Sequence, residues 1–550
     1  MSLGSRAELN AQALLARQLR EAMSAVGAGD LELAARLSDD ALTSGGTHPL
    51  FFKLRAVSHE RQGRLAEAIQ DFRSALTFAP NDFAALSALG SCLSRSGRLP
   101  EGLRALDASI TINAAYAPAH CNRGWALETA GDRAGARAAY ERALVIDPAN
   151  LQALGGLAAI SAQSGQGAAA REFAGRALQL APRDPTATIA LAMAEVSDGD
   201  AAAAETRLRP LLEQQTLPPH ERGVALTVVG DALDQLDRTD EAFAAYASAN
   251  AALEALYGAP SAVEAAAGSA LAGRLLAEFE TEGPSSWRRG PPPETPSPFR
   301  GHLFIVGFPR SGTTLTGQVL AAHPDAVVLD EHETLAGPAQ AFLANRDGLR
   351  RLAGLDAEGL TPFRHAYHQE VLGLAAGEGK VFVDKLPMNV LGLPLIVKLF
   401  PEGKVLLVRR DPRDVVLSCF RRQFAPGDAS REFFDLGRAA AFYDRVMRLT
   451  ELYRSTLELE LQVLRYEDLV ADFEARSRET CAFAGLEWTP ALADFAAASP
   501  ARETATPSAS QVKRGLYGEG VGQWRRYREA LAPVLPMLQP WIERFGYDGD

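Results

Sequence analysis

Cysteine is scarce in this chain of 550 residues, and the spacing of the few that occur carries little information. The four cysteines, Cys92, Cys121, Cys419 and Cys481, lie far apart and form no CxxC or zinc-type pair. Neither a disulfide framework nor a structural zinc site is therefore indicated. We expect reduced thiols in a cytoplasmic protein, because disulfides persist mainly in oxidising compartments.

Long apolar runs are missing as well. No stretch approaches the ~20 consecutive apolar residues of a transmembrane helix. The N-terminus reads MSLGSRAELNAQALLARQLREAMSAVG, whose mixed charge and helical apolar spacing differ from the apolar core of a signal peptide. We therefore predict no membrane span and no cleaved export signal.

An overall excess of positive charge is also absent. The net charge is −12 and the isoelectric point is near 5.4, which argues against a general nucleic-acid binder. The 47% hydrophobic and 23% charged fractions are typical of globular proteins. Because 550 residues exceed what one hydrophobic core organises, we expect at least two domains.

Glycine recurs at a constant step in the first half of the chain. Six glycines stand 34 residues apart, at positions 29, 63, 97, 131, 165 and 199. A small residue follows each glycine five positions later: Ala34, Ala68, Gly102, Ala136, Ala170 and Ala204. Glycine suits the turn after a first helix, and small residues allow a second helix to pack closely. The segment GWALETAGDRAGARAAYERALVIDP shows the pattern most clearly and resembles the tetratricopeptide repeat.

A seventh, divergent copy with about four inserted residues is expected around LPPHERGVALTVVGDALDQLDRTDEAFAAYASAN. Such a helical solenoid offers a concave surface for a peptide or a partner protein. A dimerisation or spacer module without a peptide ligand is the alternative, and a homo-oligomer stays open.

The Pro-, Gly- and Ser-rich stretch EGPSSWRRGPPPETPSPFRG cannot sustain a helix or a central strand. We therefore predict a repeat solenoid over residues 1–255, a helical and Pro-rich linker over 256–300, and a second domain over 301–550. In that domain five short β-runs alternate with helical patterns: HLFIVG, AVVL, KVFVDK, KVLLVRR and LQVLRY. This alternation predicts an α/β domain with a mainly parallel sheet, whose ligands bind at the carboxyl ends of the strands.

The turn GFPRSGTT follows the first of these strands and opens a helix. Gly307 and Gly312 keep the spacing of the nucleoside-triphosphate loop, but Thr313 occupies the place of its lysine. Arg310 lies inside the turn, where its planar fork suits two oxygens of a tetrahedral anion. A sulfuryl group can be stabilised by arginine, lysine and hydroxyl donors without metal, so the turn favours sulfate over a transferring phosphoryl group.

A second basic cluster, VLLVRRDPRDVVLSCFRRQF, ends a strand and opens a helix. Ser418 and Arg422 are four residues apart, so we expect them on one helical face, with Arg410 just before the helix start. These three side chains can converge on a second phosphate. Two anion pockets imply a ligand with phosphate-type groups at both ends of a nucleoside.

The two motifs and their order resemble the sulfotransferases that use 3′-phosphoadenosine 5′-phosphosulfate (PAPS), over about residues 302–547. The resemblance implies a P-loop-like sulfotransferase fold, PAPS as donor, 3′,5′-adenosine bisphosphate as product and no required metal. It also implies the following cofactor-binding residues: Arg310, Ser311, Gly312, Thr313 and Thr314 at the 5′-phosphosulfate, and Arg410, Ser418, Arg422 and Tyr466 at the 3′-phosphate.

Within that family the chain resembles the tyrosyl-protein and related bacterial sulfotransferases. HPDAVVLDE is similar to their loop with the general base, here Glu331. DKLPMN is similar to their lysine motif, which makes Lys385 the donor to the leaving oxygen. TPSASQVKRGLYGEGVGQW resembles their closing loop, which supplies Ser508. In the same loop Lys513 either touches a cofactor phosphate or is solvated.

The chain departs from this family at two positions. Gln523 stands where a basic residue often precedes the loop tryptophan, and Glu333 replaces an arginine that favours acidic acceptor peptides. A strongly acidic acceptor is thereby put in doubt, and Glu333 competes with Glu331 as the base. His323 and His332 lack histidine or cysteine partners at ligand spacing, so we predict no metal site.

Two functions compete on these observations. The first is a PAPS-dependent sulfotransferase whose repeats recruit or orient a hydroxyl-bearing acceptor, such as a protein tyrosine, a carbohydrate or a small molecule. The second is a repeat scaffold whose C-terminal domain binds nucleotide without turnover. The joint presence of a base, a leaving-group donor and two anion pockets favours the enzyme. A nucleotide kinase is disfavoured by the missing loop lysine.

Overall fold

The computed structural model describes residues 3–257, 267–282, 287, 289, 291, 297–375, 377–424, 429–495 and 520–547. By its internal contacts the chain divides into two compact units. The first is Met1–Ala162 with Ala168–Leu191, and the second is Gln163–Gly167 with Ala192–Asp550. The division predicted from sequence, with bounds at residues 255 and 300, stays a prediction. The second compact unit includes the helices after residue 192.

Residues 3–257 fold into helices joined by short turns, as the 34-residue period predicts. Their bounds are α1 (Leu3–Gly27), α2 (Leu31–Thr43), α3 (Pro49–Arg61), α4 (Leu65–Phe78), α5 (Phe83–Arg95), α6 (Leu99–Ile112), α7 (Ala117–Thr129), α8 (Arg133–Ile146), α9 (Leu151–Gln163), α10 (Gly167–Leu180), α11 (Pro185–Ser197), α12 (Ala201–Leu212), α13 (Pro219–Gln235) and α14 (Thr239–Tyr257). Short turns join consecutive helices into hairpins such as α3 with α4 and α13 with α14. The predicted helical repeat solenoid is thereby confirmed.

The repeating glycines form the turn inside each hairpin. All six have left-handed backbones, with φ between 69° and 85°. A residue with a Cβ rarely adopts this conformation, so the period of glycine records the period of the turn. In the seventh hairpin Asp237 takes the left-handed position with φ 57°. It stands 38 residues after Gly199, four more than the repeat step of 34, as the predicted insertion requires.

The small residues of the repeat lie where neighbouring helices meet. Ala34, Ala68, Ala136, Ala170 and Ala204 are each 0% exposed. Gly102 is buried as well, and a Cβ there would lie 2.8 Å from the carbonyl oxygen of Gly90. Helices can approach this closely only where side chains are small, so the sequence pattern specifies the packing distance.

The C-terminal part of the second unit is built on a parallel sheet. Its strands are β1 (Gly301–Gly307), β2 (Ala326–Asp330), β3 (Val381–Lys385), β4 (Lys404–Arg409) and β5 (Glu460–Arg465). Their spatial order is β2-β3-β1-β4-β5, and each neighbouring pair is parallel. The predicted strands and their parallel arrangement are confirmed. The carboxyl ends of the five strands therefore lie along one edge.

Helices connect the strands and cover both faces of the sheet. Their bounds are α15 (Gly268–Glu282), α16 (Thr313–Ala321), α17 (Ala336–Phe342), α18 (Gly348–Ala353), α19 (Ala357–Leu374), α20 (Leu393–Leu399), α21 (Pro412–Arg421), α22 (Leu436–Thr456), α23 (Tyr466–Ala471), α24 (Phe473–Ala484), α25 (Arg528–Leu531) and α26 (Leu535–Arg544). Four 3₁₀ segments complete the described part: Pro387–Gly392, Ser430–Phe434, Pro490–Leu492 and Gln523–Tyr527.

Two cores form on the opposite faces of this sheet, because alternate strand residues point to opposite sides. Phe304 and Val306 of β1 belong to one core, whereas Leu303 and Ile305 belong to the other. The first core also contains Tyr246 from α14. The last helical hairpin of the repeat is thus built into the hydrophobic core of the sheet domain.

Candidate functional site

The turn between β1 and α16 is tightly constrained by its neighbours. Arg310 and Gly312 both have left-handed backbones, with φ 69° and φ 107°. A Cβ on Gly307 would lie 2.6 Å from the carbonyl oxygen of Val408, and a Cβ on Gly312 would lie 2.6 Å from Cδ2 of Tyr466. The two glycines are therefore required by close approach, at Gly312 together with its backbone conformation.

Hydroxyl groups of this turn are buried at the start of α16. Ser311 and Thr313 are each 2% exposed, and Thr314 is 6% exposed. Within the described residues, the Oγ atom of Ser311 is buried without a hydrogen-bond partner. A buried hydroxyl that lacks a partner costs free energy, so it suits a site whose ligand supplies one.

Arg310 and Arg410 meet at the adjacent ends of β1 and β4. The side chain of Arg410 donates from Nη1 to the carbonyl oxygen of Arg310 at 3.1 Å. In turn Arg310 Nε donates to Oγ of Ser418 at 2.9 Å. The guanidinium of Arg410 lies over the ring of Tyr466, 5.0 Å from its centroid. The structure thus brings together four of the residues that the two sequence motifs supplied.

The surroundings of Arg310 carry a local excess of positive charge. Its burial and the charges of Arg422 and Arg410 lower the pKa of Arg310 to about 9. The guanidinium remains protonated at neutral pH, but its burial and the nearby positive charges raise the free energy of the charged form. A bound anion would lower that free energy. Although the protein is acidic overall, positive charge is concentrated where Arg310, Arg410 and Arg422 lie close to one another.

Most other arginines of the basic cluster serve the fold. Arg413 pairs with Asp411 at 2.7 Å and lies over the ring of Trp524, and Arg409 pairs with Glu451. The side chain of Asp411 caps the N-terminus of α21, as expected for an aspartate at that position.

Arg422 does not lie where the sequence predicted it, on the helical face of Ser418. Helix α21 ends at Arg421, and Arg422 follows it with extended backbone at φ −111° and ψ 138°. Arg422 therefore does not continue the helical face of Ser418 in the way that the four-residue spacing predicted. Its Nη1 atom donates to Oδ2 of Asp231 in α13 at 2.7 Å, and the charge of Asp231 raises the pKa of Arg422.

Glu331 and Lys385 lie together at the ends of β2 and β3. Lys385 Nζ is 2.8 Å from Oε1 of Glu331 and also contacts Asp330. The lysine side chain is 0% exposed, whereas that of Glu331 is 34% exposed. Glu331 has a left-handed backbone with φ 55°, and its N–H donates to the carbonyl oxygen of Lys385 at 2.7 Å. The left-handed backbone of Glu331 therefore places its partly accessible carboxylate against the buried ammonium of Lys385.

Helix α16 links this pair to the anion turn. A Cβ on Gly317 of that helix would lie 3.7 Å from Cγ of Lys385, so the lysine runs along the helix that Gly312 begins. Each of the five strands therefore ends beside a candidate site residue. In sheet order these residues are Glu331, Lys385, Arg310, Arg410 and Tyr466.

Behind this edge lies a buried polar network that the sequence did not reveal. Asp384 is 1% exposed and accepts hydrogen bonds at Oδ2 from Thr334 Oγ1 at 2.6 Å and from Tyr367 OH at 2.8 Å. The ring of His302 contacts the same Tyr367 hydroxyl at 2.8 Å. Burial raises the pKa of Asp384 to about 6, although its two hydrogen bonds act in the opposite direction. A carboxylate inside an apolar strand was the one signal of this network in the sequence.

The structure also shows where the other acidic and imidazole candidates lie. Glu333 is exposed, two residues beyond Glu331. His323 contacts the carbonyl oxygen of Glu487 at 2.7 Å, and His332 contacts the carbonyl oxygen of Asp330 at 2.9 Å. Both histidines thus bind backbone. In the described ranges no three His, Cys, Asp or Glu side chains are grouped as for a metal ion.

Ser508 and Lys513 lie outside the described residues, so their predicted roles stay predictions. The chain is described again from Gly520, whose carbonyl oxygen accepts from Arg410. Asp414 then accepts from the N–H groups of Gly522 at 2.7 Å and Trp524 at 2.8 Å. Helix α21 thereby fixes the point at which the predicted closing loop ends.

Comparison with known proteins relates different parts of the chain to different families. Residues 302–490 match the model of the sulfotransferase family, and residues 19–83 and 117–150 match tetratricopeptide-repeat models. An uncharacterized protein of Aquifex aeolicus is 28% identical over 259 residues, which are 44% of this chain and 34% of that protein. Protein-tyrosine sulfotransferase 1 of Danio rerio is 26% identical over 260 residues, which are 45% of this chain and 72% of that protein.

Among solved structures, a tetratricopeptide repeat protein from Parabacteroides merdae is 18% identical, with a TM-score of 0.34, over 43% of this chain and 92% of that one. The chain spans about a third of the length of the Aquifex protein. None of the helices in the described ranges combines the length and the apolarity that crossing a bilayer requires. The chain carries a sulfotransferase-family domain in its C-terminal half, preceded by tetratricopeptide repeats.

Proposed function

We propose that this protein transfers a sulfuryl group from PAPS to a hydroxyl of an acceptor. The observation that carries the proposal is the row of side chains along one sheet edge. A carboxylate and a lysine stand at one end of this row, and two arginines in contact with one another stand at the other. Domain membership supports sulfuryl transfer, while the donor and the acceptor are inferred from the residues and from the named relatives.

The residues of the pocket fit a nucleotide with two anionic ends. Ser311 Oγ and Arg410 Nε are both buried without hydrogen-bond partners among the described residues. Close packing of Gly312 and Gly520 against Tyr466 leaves no space for a Cβ at either position. Residues 310–314 would hold the 5′-phosphosulfate, and Arg410, Ser418, Arg422 and Tyr466 would hold the 3′-phosphate. When bound, PAPS supplies the sulfuryl group, and 3′,5′-adenosine bisphosphate is its product.

The acid and base functions belong to Glu331 and Lys385. Glu331 is partly accessible and accepts the proton of the acceptor hydroxyl as that oxygen attacks. Lys385 is buried and stabilises the negative charge that develops on the leaving oxygen. Arg310 stabilises charge on the peripheral oxygens in the same way. Because the lysine already contacts Asp330 and Glu331, its ammonium is held in place before any ligand arrives.

The acceptor is a hydroxyl-bearing molecule, and we propose a protein tyrosine as the first candidate to test. The Danio rerio relative bears the name of a protein-tyrosine sulfotransferase, and the repeats offer a surface on which a protein could bind. Exposed Glu333 disfavours a strongly acidic acceptor peptide. We also propose a cytoplasmic location, which is supported by the four buried, free thiols.

Two measurements test the proposal. The bisphosphate product should raise the unfolding temperature much more than ATP with magnesium does, because only the bisphosphate has anions at both positions. Incubation with ³⁵S-labelled PAPS and a cell lysate should place label in the acceptor fraction. Binding of the bisphosphate without any transfer of label would instead favour the repeat scaffold with an inactive nucleotide domain. Equal stabilisation by ATP would count against the PAPS site itself.

A further inference from the structure

The last repeat hairpin, α13 with α14, contacts four consecutive residues at the end of helix α21, numbered 420–423. The four contacts are Asn250 Nδ2 to the carbonyl oxygen of Phe420 at 2.9 Å, Arg421 to Asp234, Arg422 to Asp231 at 2.7 Å, and Gln423 Nε2 to Thr227 Oγ1 at 2.8 Å. Repeats that merely preceded an independent domain would need no such continuous contact.

The side chains that make these contacts are mostly buried, and other residues of the hairpin hold them in place. Asn250 is 4% exposed, and the side chain of Arg421 is 6% exposed. The ring of Tyr246 is 1% exposed, and its hydroxyl donates to Asp231 at 2.7 Å. Asp231 is therefore held in place from its own hairpin before it accepts from Arg422. The hydrogen bonds of Asp231 to Tyr246 and to Arg422 thus hold the charged guanidinium of Arg422 in one position.

The residues just before this contacted segment bind the anion turn that contains Arg310. Ser418, which accepts from Arg310, lies in the last turn of α21, and Cys419 Sγ donates to the carbonyl oxygen of Pro309 at 3.4 Å. Arg422 lies close enough to Arg310 that its charge lowers the pKa of Arg310. Like charges at this range repel one another, so an arginine beyond the helix end needs a counter-charge to stay beside the pocket. Asp231 supplies that charge.

The same hairpin also holds the chain where the predicted closing loop ends. Tyr527 OH donates to Oδ1 of Asp234 at 2.7 Å, and Arg526 pairs with the same atom at 2.7 Å. Arg526 further pairs with Asp237 at 2.9 Å. One pair of repeat helices thus contacts both the end of α21 and the segment that follows the predicted loop.

We infer that the last repeat hairpin is a working part of the nucleotide site, in which Asp231 is a positioning residue that holds Arg422 ready for the 3′-phosphate. The inference rests on the proposed function and deepens it, because it assigns a role to a repeat helix within the donor site. In this role the hairpin acts through Arg422.

Binding measurements on the full chain can separate this role from a merely structural one. Asp231→Asn removes the counter-charge but keeps the size of the side chain. We expect it to weaken the affinity for 3′,5′-adenosine bisphosphate about tenfold, or about 1.4 kcal/mol. The affinity for adenosine 5′-monophosphate, which lacks the 3′-phosphate, should stay unchanged. Calorimetric titration with the two nucleotides gives both values.

Glu205→Gln is the matched control. Glu205 is a repeat carboxylate of similar exposure, 17% against 21% for Asp231, and it pairs with Arg238 at 2.7 Å. This variant should bind both nucleotides as the unaltered chain does. If Asp231→Asn binds the bisphosphate as tightly as the unaltered chain, or more tightly, the positioning role is overturned.

A double-mutant cycle keeps the test decisive if Asp231→Asn folds less well. Arg422→Gln should weaken bisphosphate binding by a similar factor, and the double variant should be no weaker than either single variant. Fully additive losses would contradict the inference. An unaltered chain that binds the bisphosphate no better than the monophosphate would instead refute the proposed function, so the two failures can be told apart.

Discussion

Lys385 Nζ lies 2.8 Å from Oε1 of Glu331, although the two residues are 54 positions apart in the chain. They meet because β2 and β3 are parallel neighbours, in which Asp330 is in register with Lys385. The residue after one strand end therefore lies beside the last residue of the next strand. The proposed base and the proposed leaving-group donor therefore lie side by side at this edge of the sheet.

Replacement of Glu331 by glutamine should abolish most turnover. The amide cannot accept the acceptor proton, so we expect a loss of roughly 10²–10⁴-fold in kcat. Binding of 3′,5′-adenosine bisphosphate should be retained. Initial rates with labelled PAPS and calorimetric titration with the bisphosphate measure the two quantities.

Glu333→Gln is the matched control for that variant, since Glu333 lies two residues away on the same loop and is exposed. We expect nearly normal turnover from it. The opposite pattern, in which Glu333→Gln is inactive and Glu331→Gln is active, would assign the base to Glu333.

Loss of the guanidinium of Arg310 should affect both binding and chemistry. Arg310→Ala removes the donor to Ser418 and the cation of the anion turn. By comparison with the loss of one donor from an oxyanion site, turnover should fall roughly 10²–10³-fold. Arg300→Ala removes a half-exposed arginine at the other end of the β1 region, and its rate should stay normal. Equal rates for the two variants would remove Arg310 from the site.

Gly312→Ala should destabilise the turn and displace Tyr466. The added Cβ would lie 2.6 Å from Cδ2 of that ring, and the left-handed backbone at φ 107° disfavours any side chain. The conformational part alone costs about 1–2 kcal/mol. Gly337→Ala is the control, because a Cβ there meets nothing within 4 Å. Thermal unfolding should show a lower midpoint for the first variant and an equal or higher midpoint for the second.

Stability should depend on pH through Asp384. Burial raises the pKa of this carboxyl from 3.8 to about 6, so between these values the folded chain binds more protons than the unfolded chain. The stabilisation is therefore present in full below about pH 3.8, and it is lost as the pH rises through about 6. Over that window the effect is on the order of 3 kcal/mol.

Asp384→Asn removes this titration while keeping an oxygen that can accept from Thr334 and Tyr367. The unfolding free energy of the unaltered chain minus that of this variant should therefore fall as the pH rises from 4 to 6.5. Denaturant unfolding across that range measures the difference. A constant difference would show that Asp384 does not titrate there.

Local patterns were sufficient for the elements and for the two anion motifs. A left-handed turn requires glycine in nearly every copy of the repeat, so the glycine period predicts the hairpins directly. Apolar strand runs followed by Gly307 and Gly312, or by Arg410, place the motifs at the carboxyl ends of strands. Both features depend on neighbours in the sequence, and this is why they could be predicted.

Long-range pairing could not be obtained in this way. The spacing of Ser418 and Arg422 indicated one helical face, but the helix ends at Arg421 and the arginine pairs with Asp231, 191 residues earlier. The linker composition predicts a domain boundary near residue 300, but it gives no sign that Tyr246 packs in the core of the sheet domain. Such contacts depend on which surfaces meet, and no local pattern encodes that.

The sequence by itself determined the repeat period, the parallel α/β pattern and the residue types that could bind two anions, because each follows from backbone conformation or from side-chain chemistry. Only the tertiary structure decided which of these residues meet. Strand order brings Glu331 to Lys385 and Arg310 to Arg410, and packing of the last hairpin brings Asp231 to Arg422. The physical reason is that the free energy gained by burial depends on how well whole surfaces fit together. The partner of a charged side chain is therefore selected by the fold and not by its place in the chain.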